Sequence, residues 1–185
     1  MTTTTSSAAQ GTDLRYPIGK FHFDGPLTKE QREQFIEEIA HTPAKLRAAV
    51  AGLTSEQLNT PYRPGGWTVR QLIHHLPDSH MNSYVRFRLA LTEEQPTIKP
   101  YDEARWAELV DAKSAPREMS LTLLDALHRR WVILLNGMTP ADYQRTLVHP
   151  QQGQINLEKM LAIYAWHGRH HVAHITALKE RMGWK

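Results

Sequence analysis

The chain of 185 residues has no cysteine. That excludes a disulfide framework, a cysteine-ligated zinc ribbon, an iron–sulfur cluster and a protein thiol nucleophile. It has no apolar run approaching the ~18 residues of a membrane span. It also lacks a block of like charge: 22 Lys and Arg are interspersed with 19 Asp and Glu, for a formal net charge of +3. With no basic stripe and no recognisable module, nucleic-acid binding is not expected. Strand-rich regions and internal repeats are missing too. The opening residues Met1–Thr12 carry neither the basic nor the apolar region of a signal peptide. They read as a disordered tail, and the expected location is cytoplasmic.

What remains is an ordinary globular composition with one excess. The hydrophobic share is 41%, and the length suits one domain, expected over residues 13–185. Histidines number eleven.

Hydrophobic periodicity predicts four long helices with short ones between them. Thr28-Lys29-Glu30-Gln31 has capping-box spacing and opens the first. Thr42-Pro43 reads as a second cap followed by a helix start, so a kink or break is expected near Pro43. Thr68 caps a helix from Val69 to about Thr92, and Asp102 caps a shorter one through Val110. A third long helix runs from Arg117 to Asn136 before Gly137 and Pro140, with His128-Arg129-Arg130 read as its solvent face. Val148–Ile155 reads as a loop or small hairpin, and Asn156 caps a last helix, Leu157 to Met182, stopped by Gly183. Antiparallel helices joined by modest loops imply an all-α four-helix bundle.

Seven of the eleven histidines fall in His74–His80 and His167–His174. Both segments lie inside amphipathic helices, so facing follows from about 100° per residue. On the last helix His167, His170, His171 and His174 share one face at the margin of the apolar stripe. Histidines four apart project one turn apart on one face and can share an ion. Two such pairs interleave; His167/His171 lies nearer the apolar centre and is preferred, because bundles build metal sites in their interior. On the second long helix His75 heads a polar stripe with Ser79, Asn82, Ser83 and Arg86, beside the core. His74 is expected in solvent and His80 in mid-core as a hydrogen-bonded ring. Asp78 reads as a surface acid. Three neutral imidazoles suit Zn²⁺, with Ni²⁺, Cu²⁺ or Fe²⁺ also possible, and leave a coordination position open. Gly168 stands where a zincin would carry its glutamate, so this is not a zincin motif.

These residues resemble the DinB/YfiT-like superfamily, and within it the YfiT-like metal-dependent hydrolases. The likeness runs through Tyr16-Pro17-Ile18-Gly19, Thr60–Gln71, His74-His75-Leu76, Asp78–Tyr84, Leu91–Glu94, Pro100-Tyr101-Asp102, Trp166-His167, His171 and Ala173–Trp184. It implies a DinB-like four-helix bundle and one divalent metal, zinc or nickel, held by His75, His167 and His171. It also implies a homodimer. Pro77 departs from the expected pattern and suggests a kink just after His75.

The leading expectation is a hydrolase in which a metal-activated water attacks a small-molecule substrate. A thiol S-transferase, with the metal ionising the substrate's sulfur, and a non-enzymatic metal-binding module are the alternatives. No residue is singled out as the general base.

Overall fold

The computed structural model describes residues 13–185; the expected tail, residues 1–12, lies outside the described residues. Four long helices form the bundle: α1 (Lys29–Val50), α3 (Val69–Thr92), α6 (Arg117–Asn136) and α8 (Leu157–Met182). Short helices α2 (Ser55–Leu58), α4 (Glu103–Trp106), α5 (Val110–Ser114) and α7 (Pro140–Tyr143) connect them. Strands β1 (Thr146–His149) and β2 (Gly153–Asn156) form an antiparallel hairpin that leads directly into α8. The Asp102 helix therefore ends at Trp106 rather than Val110, and the hairpin is the exception to an all-α chain. Among the described residues no helix is long and apolar enough to cross a membrane.

The helix starts follow from local chemistry. Thr28 and Thr68 each accept the N3 amide while Gln31 and Gln71 return to the cap amide, closing two capping boxes. Asn156 caps α8 by accepting from Lys159 N, and Gly183, at φ +65°, ends it in the left-handed region. The start of α8 is tied to α1 by an ion pair: Arg32 Nη1 donates to buried Glu158 Oε1 at 2.8 Å.

Neither internal proline divides its helix. α1 runs unbroken through Pro43 and α3 through Pro77. Thr42 is not a cap; its hydroxyl donates to the Glu38 carbonyl one turn back. Tertiary packing outweighs the lost amide in both helices, which hold buried residues on either side of the proline.

Two apolar clusters fill the bundle, one around Ile39, Phe87, Trp131 and Leu161, the other around Leu46, Leu72, Leu124 and Ile175. Between them the long helices contribute Thr42 and Pro43, His75 and Ser79, His128, and His167, Gly168 and His171. The result is a histidine layer between two hydrophobic ones.

Gly168 lets α8 approach α1 at this level. A Cβ there would sit 2.6 Å from Thr42 Oγ1 and 2.8 Å from its Cγ2. Gly168→Ala is predicted to destabilise the protein by about 1–3 kcal/mol through overpacking, despite its better helix propensity. Adding Thr42→Ala removes the obstructing atoms and recovers part of the loss. Thermal denaturation of the single and double variants tests this; a Gly168→Ala protein as stable as wild type would contradict the close contact.

Candidate metal centre

α3 supplies His75 and α8 supplies His167 and His171. Their Nε2 atoms converge: His75 lies 3.4 Å from His167, and His171 lies 3.2 Å from His167. One ring nitrogen of each lies within 4.8 Å of the others. Tetrahedral zinc–imidazole bonds of about 2.0–2.1 Å would space such nitrogens about 3.3–3.4 Å apart. The donor set therefore fits a divalent ion without rearrangement of the two measured pairs.

Protonation agrees with this chemistry. Burial pushes the His75 imidazole down to about 4, and pushes His167 and His171 well below the ordinary value. Each ring is neutral, so one nitrogen of each is a lone pair available to a cation. No carboxylate hydrogen-bonds to any of the three rings among the described residues.

The three rings open into a cleft of about 420 Å³. Trp67, packed 4.7 Å from His75 between ring centres, forms one wall; Ser79, Arg86, Tyr101 and Tyr164 form others. The β1–β2 turn brings Gln151 and Gln152 to the same cleft. The polar stripe of α3 thus divides. Ser79 and Arg86 reach the cleft, Ser83 is buried, and Asn82 donates to the Asp78 carbonyl.

Two histidines sit differently from their sequence-based placement, and a third sits as expected. His74 is buried, not solvated: Nδ1 contacts Ser120 Oγ at 2.7 Å and Nε2 donates to the Ala115 carbonyl at 3.2 Å. The start of α6 covers that face of α3. His128 is buried as well, at 1% exposure, whereas Arg129 and Arg130 are exposed. The spacing Leu121, Leu124, His128, Trp131, Leu135 was the available signal, since it continues the core face of α6. His80 is in mid-core as expected, between His128 Nε2 at 2.8 Å and His167 Nδ1 at 3.1 Å.

The competing pair, His170 and His174, faces elsewhere. His170 stacks on Trp166 at 4.3 Å, and His174 Nε2 donates to the Arg15 carbonyl at 3.2 Å. His170, His171 and His174 also bring one ring nitrogen each within 4.8 Å of one another. The His75 trio is the set that lines the cleft. Asp78 is half-buried rather than a surface acid, and desolvation, with Asp111 nearby, raises its carboxyl to about 6.

The buried rings make stability depend on pH. Unfolded, each histidine titrates near its ordinary value of about 6.5. Folded and metal-free, His75 and His128 resist protonation down to about 4. Between those values the unfolded chain binds more protons, so their contribution is complete above about pH 6.5 and is lost as pH falls through the window. The urea midpoint of chelator-treated protein should fall from about pH 7 to about pH 5. A midpoint constant over that range would mean that the rings are not buried as neutral groups.

Comparison with known proteins gives this geometry a context. The DinB superfamily matches residues 38–175. A Bacillus mycoides protein named "Putative metal-dependent hydrolase" is 55% identical over 172 residues, covering 93% of this chain and 99% of the relative. The solved structure of Bacillus subtilis YfiT, described as a probable metal-dependent hydrolase with an unusual four-helix bundle topology, superposes with a TM-score of 0.91. It is 52% identical and the match covers 93% of this chain and 99% of YfiT. The four-helix bundle protein TT2238, at 20% identity and a TM-score of 0.55, shares the fold. Alike over almost the whole length of YfiT and matched through the body of its bundle, the chain belongs to the DinB superfamily.

Proposed function

We propose that this protein is a metal-dependent hydrolase acting on a small molecule, with His75, His167 and His171 holding one divalent cation, zinc or nickel. The observation that carries the reading is the convergence of three neutral Nε2 atoms at an open cleft. A bound ion would supply a Lewis acid and lower the pKa of a water toward about 7. Relatives named "Putative metal-dependent hydrolase" and described as a "probable metal-dependent hydrolase" support the metal-dependent hydrolase reading.

The chain's own residues account for the rest. Three uncharged ligands leave the ion its full positive charge, which a carboxylate ligand would reduce. Trp67 and Tyr164 hold the His75 and His167 rings from the sides, at centroid distances of 4.7 and 5.5 Å. The cleft gives a substrate access, which favours a catalytic site over a closed structural one.

Metal analysis of untagged protein should give one equivalent in wild type and less than about a tenth in His171→Ala, as expected when one of three ligands is deleted. Full metal content in the variant would overturn the ligand assignment. An ester and amide library should yield turnover that chelator abolishes and metal restores. Consumption of a low-molecular-weight thiol with a model electrophile, and no hydrolysis, would instead support S-transfer.

A further inference from the structure

Pro43 interrupts the backbone ladder of α1 at one place. It has no amide hydrogen, so the carbonyl of Ile39, four residues back, loses its helical donor. His128 Nδ1 lies 2.6 Å from that oxygen. A carbonyl only accepts, so the hydrogen sits on His128 Nδ1 and the lone pair of this neutral ring on Nε2.

The remaining assignments follow one from another. His128 Nε2 is 2.8 Å from His80 Nδ1, which must therefore be the donor. His80 Nε2 is then a lone pair, 3.1 Å from His167 Nδ1. His167 Nδ1 donates, and its Nε2 is left as a bare lone pair. That is the atom facing Nε2 of His75 and of His171. His80 and His128 are at most 1% exposed, and no carboxylate hydrogen-bonds to any ring of the chain among the described residues, so each ring is neutral and has one hydrogen to place.

We infer that Pro43, His128 and His80 are positioning residues that lock His167 in the Nδ1–H tautomer and so aim its Nε2 lone pair at the cleft. The hydrogen placement stands on the hydrogen bonds between neutral rings; its purpose rests on the metal reading proposed above. The device differs from the usual carboxylate or direct carbonyl partner of a metal-bound histidine. Two neutral rings carry the orientation from a backbone carbonyl on α1, through α6 and α3, to α8. No negative charge is brought to the site in doing so.

The test uses chelator-treated, full-length protein labelled with ¹⁵N at histidine. Two-bond ¹H–¹⁵N correlation spectra near neutral pH distinguish the tautomers directly. His128, His80 and His167 are all expected as Nδ1–H, the form that free histidine disfavours in water. His128→Gln should preserve the pattern, because its amide nitrogen can donate to Ile39 and its oxygen can accept from His80. His128→Phe should release His80 and His167 to the Nε2–H form and weaken zinc binding, read by competition with a chromophoric chelator, by about tenfold or more. Wild-type His167 in the Nε2–H form would overturn the inference even if His128→Phe failed to fold, as would an unchanged His167 tautomer in a folded His128→Phe protein. If the tautomers are as expected and wild type binds no zinc, the metal reading fails while the relay stands. Zinc binding with the opposite tautomer sinks the relay alone.

Discussion

The middle layer of the bundle is too deeply buried for a charged imidazole. His80 and His128 are at most 1% exposed, and desolvation is the largest influence on every ring of the trio. A ring placed there must be neutral, with one nitrogen as donor and the other as acceptor. Both ends then need partners, since an unsatisfied buried polar atom costs about 1–3 kcal/mol. That requirement orders the layer. At one end the freed Ile39 carbonyl accepts a hydrogen; at the other, the Nε2 atoms of His75, His167 and His171 meet. A cation bound there would satisfy all three nitrogens. His171 Nδ1 is still buried without a partner, so the His170–His174 side of α8 is not fully satisfied by protein atoms.

The arrangement depends on close helix packing as much as on histidine chemistry. Gly168 lies between His167 and His171 and packs against Thr42, the residue before Pro43. The absence of a Cβ there lets α1 and α8 approach closely at the level where the carbonyl is released. The apolar clusters on either side hold that level in register, with Ile39 and Trp131 in one and Leu46 and Leu124 in the other. The hairpin, outside the bundle proper, adds its turn to the mouth of the cleft.

Helix ends were legible in sequence because they are written in local chemistry. Thr28, Thr68, Asn156 and Gly183 act where capping rules place them. The grouping of His75 with His167 and His171 was legible from facing and family resemblance. What escaped is what depends on neighbours. His74 looks outward on its own helix, and Ala115 at the end of α5 and Ser120 in α6 cover it. His128 was masked by the two exposed arginines that follow it, although its spacing belongs to the core stripe. Pro43 resembled a helix start because sequence does not show that a side chain from another helix would take its vacant carbonyl. Gly168 stood out in sequence only for the glutamate it replaces, and its packing role depends on the helix against it.

The central claim is that three imidazoles from two helices, and no carboxylate, form the protein's metal shell. X-ray absorption at the zinc edge of metal-loaded protein measures that shell most directly. The account predicts three imidazole nitrogens at about 2.0–2.1 Å, completed by one or two light solvent-derived atoms. A shell with fewer than three imidazoles, or with a protein carboxylate among its ligands, would contradict it.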